Sequence, residues 1–465
     1  MSVFLQTSAS LRLPIELQEV ICRIEALNKA DLARLALTCK AWYFVANPVL
    51  WETLHGLGPL LDLMSADVWS EPAIGPDGSL NPNYRALTPD DWVPVLKLSP
   101  LVKRLRLPHV EPNAQSRIVR NPPPRTLLPS LRSLEIWTDE FRALDLLNGF
   151  GTGADMFLKA IIPSTLLDLT LTNSFADTLT RHSGILCRAT QLTSLIIRET
   201  VLDEAYDTYQ YGNARLALVH VVSTCHYLTH VEVTLPFIRN PALMEALSRL
   251  PALDFLRLKF CCTRLGESWV GRQPEYAARA FPALQFCEIH GLSFVDAANL
   301  LKFDGMRPLQ VVHIVSPDPD TPADLWARMA RSWPELREIV FAVYKATETP
   351  QSPCTLAALA ALASHCPLIR DIQIPFHAAH LPPLPEATKI SVPRRHKVKV
   401  TVGLPEDISS AEDVVAALRG LFGNVTVNLC YKEVSTEFAE AAPEIKRRVD
   451  LWDQVMAMTS GRRDA

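Results

Sequence analysis

The chain reads as an α/β protein, with a short N-terminal three-helix module followed by a solenoid of about 10–12 strand–helix repeats. Three observations predict this. A phrase built from a Leu-like residue, two variable positions and then two apolar residues flanking a variable one recurs in order along most of the sequence. The first 55 residues lack that phrase and carry apolar residues at helical spacing instead. The chain has 465 residues, 48% of them apolar, which is long enough for a repeat array and too apolar for wholesale disorder.

Residues 11–55 make the first element. Leu13-Pro14-x-Glu16-Leu17-x-x-x-Ile21-x-x-Ile24 places Leu13, Leu17, Ile21 and Ile24 on one helical face, with Pro14 in the first turn, where a missing N–H is tolerated. A second helix starts near Lys29, with Asp31 in its first turn and Leu32, Leu35 and Leu37 apolar. Cys39-Lys40-x-Trp42 and Pro48-x-Leu50-Trp51-x-x-Leu54 follow. A unit of about 45 residues buries little apolar surface alone and needs outside support. This one nevertheless carries Trp42, Tyr43, Phe44 and Trp51. Part of that surface is expected to dock on the repeats and part on another protein.

This stretch resembles the F-box family, whose pattern is L-P-x-E-L, a following Ile and Leu, D-L, C-[KR]-x-W and then L-W. The matching positions are Leu13, Pro14, Glu16, Leu17, Ile21, Asp31, Leu32, Cys39, Lys40, Trp42, Leu50 and Trp51; Cys22 stands where the family usually has an aromatic. The resemblance implies that Leu13, Pro14, Leu17, Leu35, Trp42 and Trp51 contact the small SCF adaptor or support that contact. It makes Cys39 a packing residue rather than a nucleophile.

Residues 56–95, with Pro72, Gly75-Pro76-Asp77-Gly78 and Asn81-Pro82, read as a turn-rich linker containing a short helix. Residues 96–432 carry the repeats. The phrase runs from Val102-x-x-Leu105-x-Leu107 to Ile369-x-x-Ile372-x-Ile374, and two weaker strands follow at 398–402 and 425–429. Its middle anchors are Leu105, Leu134, Leu169, Leu195, Val231, Leu256, Cys287, Val312, Ile339, Ile372, Val400 and Val427, at gaps of 25 to 36 residues. Alternation fits a short strand with one buried face. Helical patterns such as Leu216, Leu218, Val219 and Val222, then Leu243, Leu247 and Leu250, lie between strands. Pro129, Pro251, Pro282, Pro334 and Pro367 stop the preceding helix just before a strand. The pattern resembles the leucine-rich-repeat family in a degenerate form without the regular Asn of that family's ladder.

Two insertions interrupt the repeats. Residues 108–125, rich in Pro, are expected to be an exposed loop; Asp203 to Gly212 carries Tyr206, Tyr209 and Tyr211, the candidate substrate contact. Residues 433–465 are expected to form a capping helix, with Ile445, Val449, Trp452 and Met456 on its apolar face.

Other function classes find little support. Lys and Arg number 46 against 50 Asp and Glu, a net charge of −4, so a nucleic-acid partner is not expected. No apolar run is long enough to span a membrane, and the N-terminus lacks the form of a signal peptide. Ten scattered Cys, of which only Cys261-Cys262 are close, suggest an intracellular protein, cytoplasmic or nuclear. Gly149-x-Gly151-x-Gly153 completes no phosphate loop and reads as a helix entry. His226 with His230 and His377 with His380 complete no metal site, and Arg394-Arg395-His396-Lys397 reads as a solvated turn. No general acid, base or nucleophile constellation appears, so neither an enzyme nor a cofactor is expected.

An F-box followed by leucine-rich repeats is the layout of substrate receptors of cullin-based SCF ubiquitin ligases. The resemblance implies an SCF adaptor, through it a cullin, and an unknown protein substrate as partners. A non-catalytic repeat scaffold without a ubiquitin role is the alternative.

Overall fold

The computed structural model describes residues 13–65, 68, 85, 87–108, 118–137, 152–172, 175–198, 208–235, 241–260, 280–291, 306, 308–316, 323–343, 356–374, 396–402, 408, 410–429 and 443–460. The chain divides into two units, Met1–Leu192 and Thr193–Ala465. Both follow the expected plan of parallel strands alternating with helical segments.

The first unit begins with three helices, α1 (Ile15–Cys22), α2 (Lys29–Thr38) and α3 (Lys40–Glu52). Pro14 is the residue before α1 rather than one inside it, with an extended ψ of 146°. Asn28 caps α2 reciprocally. Its Oδ1 accepts from the Asp31 N–H at 3.0 Å, and Asp31 Oδ2 accepts from the Asn28 N–H at 3.3 Å. Helix α3 runs directly into a strand, β1 (Thr53–His55), which pairs in parallel with β2 (Arg104–Leu107), then β3 (Ser133–Trp137) and β4 (Asp168–Thr172). Helical segments between these strands are α4 (Gly58–Leu61), a 3₁₀ turn (Pro89–Trp92), α5 (Val93–Leu98) and α6 (Thr152–Ile161). Helix α7 (Phe175–Leu186) follows β4.

The second unit carries β5 (Ser194–Arg198), α8 (Thr208–Thr224), β6 (His230–Leu235), α9 (Pro241–Ser248), β7 (Phe255–Phe260), β8 (Phe286–His290) and β9 (Val311–Ser316). It continues with α10 (Ala323–Ser332), β10 (Glu338–Val343), α11 (Leu356–His365), β11 (Asp371–Ile374), β12 (Val398–Val402), α12 (Ala411–Phe422), β13 (Val425–Leu429) and α13 (Pro443–Ser460). Strands β5 to β13 pair in chain order, all parallel.

The twelve anchors are all buried and stack in register. In the first unit the row is Leu54, Leu105, Leu134, Leu169. In the second it is Leu195, Val231, Leu256, Cys287, Val312, Ile339, Ile372, Val400, Val427. Burial pushes the Cys287 thiol up to about 12, so it serves as a small apolar anchor and not as a reactive group. Leu54 belongs to a strand that the phrase search missed. Trp51-x-x-Leu54-x-Gly56 fits the phrase in its first two slots, but Gly56 occupies the third.

The missing Asn ladder has a backbone substitute. Just before many of the described strands, one carbonyl receives two N–H groups from the next repeat. Thr229 O accepts from Asp254 and Phe255, Asp254 O from Gln285 and Phe286, and Gln285 O from Gln310 and Val311, at 2.8 to 3.0 Å. These turns thus satisfy one another without side-chain donors.

Both end strands are covered. Lys29 Nζ donates to Thr53 O at 2.6 Å, from α2 onto β1. At the other end α13 buries Trp452 and Val455, and its Thr459 hydroxyl accepts the Val427 N–H of β13 at 3.1 Å. Helix α13 thus lies against the last strand, whose open edge would otherwise be left to pair with another chain. Leu216, expected on the buried face of a helix, is instead exposed on α8, while Leu218 and Val222 are buried.

Candidate interaction surface

The three N-terminal helices pack around a small core of Cys22, Leu32, Val45 and Ala46, with Leu27, Leu35, Ala36, Trp42, Val49 and Leu50 half-buried against it. Cys22 fills an inward position on α1, and burial raises its thiol pKa. Cys39 corrects the expectation of a packing residue: it is exposed at the junction of α2 and α3. Its extended backbone, φ −162°, lets the chain reverse between two helices without a connecting loop.

Helix α1 is turned in an unexpected sense. Its buried side chains are Gln18 and Cys22, so the apolar face holding Leu13, Leu17 and Ile24 points outward. Gln18 Nε2 donates to Leu13 O at 2.7 Å and fixes the start of this face. Of the fourteen large apolar side chains exposed among the described residues, eight lie between residues 13 and 44. They are Leu13, Ile15, Leu17, Val20 and Ile24 around α1, Leu37 on α2, and Tyr43 and Phe44 on α3. Leu37 is 85% exposed and Phe44 70%, values that no intramolecular packing accounts for.

The six residues singled out from the sequence therefore separate into two kinds. Leu13, Pro14 and Leu17 are exposed, whereas Leu35, Trp42 and Trp51 are half-buried. Leu35 and Trp42 pack on the core beneath the surface. Val20, Leu37 and Phe44 were not singled out, although Leu37 and Phe44 stand beside motif residues in the sequence. Helical spacing alone does not say which apolar stripe faces the core.

The first unit anchors this module to its strands. Glu52 at the end of α3 takes Arg23 at 3.2 Å and Arg104 of β2 at 3.5 Å, and Lys103 N donates to Glu52 O at 2.9 Å.

Residues 11–56 match the family model described as F-box-like. The F-box-like module thus comprises α1 to α3 and the strand β1 that leads out of it. No curated protein matches the chain. Solved structures similar to it include the Toll–Spatzle complex of Drosophila, at 13% identity and TM-score 0.30, covering 57% of this chain and 37% of that one. Another is TLR13 bound to ssRNA13, at 12% identity and TM-score 0.31, covering 75% of this chain and 52% of that one. The chain accordingly spans 37% and 52% of the length of these two structures.

The candidate substrate contact is placed only in part. Tyr206 lies outside the described residues; Tyr209 and Tyr211 fall within α8, whose first residue is Thr208. The later half of the expected 203–212 insertion is therefore helix rather than loop. Gly75 to Gly78, Asn81-Pro82, Gly149 to Gly151, Cys261-Cys262, His377, His380, Arg394 and Arg395 also lie outside the described residues, as do 109–117 of the Pro-rich insertion. Thr152 opens α6, in keeping with a helix entry after the glycines. His226 is exposed in a turn, and His396 Nε2 donates to Ile369 O at 2.8 Å.

A second surface escaped the sequence. In the second unit the strand side chains opposite the anchors form a lattice across β5 to β10. His230, Phe255 and Phe286 stack like plates, with centroids 4.1 and 4.3 Å apart and planes within 9° and 2° of parallel. His313 meets Phe286 edge-on at 5.4 Å. Beside the stack, Arg198 reaches Glu232 at 3.0 Å, and Arg257 reaches both Glu232 at 3.3 Å and Glu288 at 2.8 Å. Burial raises the Glu288 pKa, but hydrogen bonds from His290 and Arg257 outweigh it and hold the carboxylate below its usual range. The signal lay in the variable slot of the phrase. Glu232, Arg257, Glu288 and His313 occupy it in successive repeats, and only the register shows that they touch.

Proposed function

We propose that this chain is the substrate-recognition subunit of an SCF-type ubiquitin ligase. Its F-box-like module binds the small adaptor that hangs from a cullin, and its repeats bind a protein substrate. The observation that carries the reading is the concentration of eight exposed large apolar side chains on and beside α1, α2 and α3, in the segment that matches the F-box-like model. A surface of that kind gains free energy when another protein covers it. Half-buried Leu35 and Trp42 support it from beneath, so truncating them would loosen the surface without removing its outer contacts.

Catalysis in this role is positioning. The receptor raises the effective concentration of a substrate Lys near the charged conjugating enzyme and contributes no reacting group. The close attachment of α3 to β1 and β2 suits that task, because Glu52 ties the module to the first strands through Arg23 and Arg104.

Affinity purification of the tagged chain from cells is expected to recover the adaptor and a cullin together. Recovery of other proteins with neither of them would overturn this proposal in favour of a repeat scaffold without a ubiquitin role.

A further inference from the structure

The lattice on β5 to β9 has a layered charge that selects a partner. Its central carboxylates lie low, with the Glu232 and Glu288 side chains only 11% and 12% exposed, while Glu338 of β10, 39% exposed, pairs with His313 at the far end of the lattice. Its cations lie above them: Arg198 is 51% exposed, Arg257 37%, and Lys259 is also exposed. Glu232 and Glu288 are both already held by Arg257, so a ligand approaching β5 to β7 meets guanidinium and ammonium groups first.

The aromatic stack points the same way. Phe255 has both ring faces covered, by His230 and Phe286, and Arg257 lies 5.5 Å from its centroid. Stacked rings leave their edges available, and the edge of an aromatic ring carries the positive end of its quadrupole. The ion pairs and the stack also hold the side chains in place before any ligand arrives, which lowers the entropy lost on binding.

We infer that this face binds an acidic, extended segment of a partner protein, whose Asp or Glu side chains engage Arg198, Arg257 and Lys259. Five parallel strands at about 4.8 Å spacing span roughly 19 Å, the length of about six extended residues. Taken as the substrate side of the receptor this rests on the reading above, and it names the chemistry of the segment recognised.

The test uses the full chain without adaptor, so that its outcome is independent of adaptor binding. Three labelled synthetic peptides of about eight residues are titrated by fluorescence anisotropy: one rich in Asp and Glu, its Asn and Gln counterpart, and one rich in Lys. A single-stranded RNA of similar length is titrated beside them. The acidic peptide is expected to bind tightest, with affinity that falls as salt rises. Lys259→Glu and Arg198→Gln, both at exposed positions, are each expected to weaken it about tenfold while a cooperative thermal transition is retained. Equal binding of the three peptides, preference for the Lys-rich peptide, absence of acidic-peptide binding, or insensitivity to both substitutions would overturn the inference. Tighter binding of the RNA would reassign the face to nucleic acid. An adaptor that binds while the acidic peptide fails would leave the receptor proposal standing and remove this one.

Discussion

Leu256 has an anchor in register on either side, Val231 and Cys287, and no exposed surface. Truncation there leaves a cavity that neither neighbouring repeat can close. Leu256→Ala is expected to destabilise the chain by about 2 to 5 kcal/mol, against less than about 0.5 kcal/mol for Leu216→Ala on the exposed side of α8, as read by urea unfolding. Similar losses for both would show that the anchor row is not the core. Gly291 is constrained in another way. Its φ is +82°, and a Cβ there would sit 1.8 Å from Phe260 O, so Gly291→Ala must displace the end of β8 from β7. His230 links a single side chain to pH. Burial lowers its pKa first of all; Arg257 and Arg198 add to that, while Glu232 and Asp254 oppose it. The folded chain then refuses a proton that the unfolded chain accepts, so stability falls as pH drops below about 6.5. His230→Phe keeps the stack and removes this proton. The stability lost between about pH 7.5 and about pH 5.5 should therefore be smaller in the variant, and an equal loss would place the sensitivity elsewhere.

Strands were far more legible in the sequence than the direction in which helices face. Each phrase anchor marks a strand because period-two alternation with one buried face leaves little freedom, and a slip of one residue would expose the whole row. β1 escaped because Gly56 breaks its phrase and because Trp51 and Leu54 had already been read as the end of a helical module. Helix α1 shows the opposite difficulty. Leu13, Leu17 and Ile24 form a good apolar stripe, yet the core takes Gln18 and Cys22, since the stripe serves a surface and not the interior. No single-chain periodicity distinguishes these two uses of an apolar face. The lattice around Arg257 was illegible for a related reason, because its members lie 25 to 34 residues apart and meet only through strand register. The start of α2 was legible at Lys29, with Asp31 in its first turn, but its Asn28 cap came only with the structure. Asn28→Ala removes the acceptor of the Asp31 N–H and should cost about 1 kcal/mol in thermal or urea unfolding, with no change in the peptide affinity of the strand face. No loss of stability would mean that the reciprocal cap is not formed in solution.

The ends of the chain are where stability and partner binding meet. Within the F-box-like module Lys29 of α2 holds the Thr53 carbonyl of β1, and α13 covers β13, with Thr459 on the Val427 N–H. A chain stopped after Leu429 loses α13 and exposes a strand edge together with the apolar surface under Trp452. It is expected to aggregate or to lose its cooperative transition, as seen by light scattering and thermal unfolding. A soluble truncation with an unchanged transition would refute the capping role. The N-terminal end differs, because its cap also turns Leu13, Leu17, Val20, Leu37 and Phe44 outward. That outward face carries the central claim, and direct titration of the purified full chain with the SCF adaptor tests it most closely. The wild type is expected to bind. The Leu13→Ala, Pro14→Ala double variant, altered only at exposed positions, is expected to lose binding while its melting temperature stays the same. Equal binding by the two proteins, or binding by neither, would contradict the account.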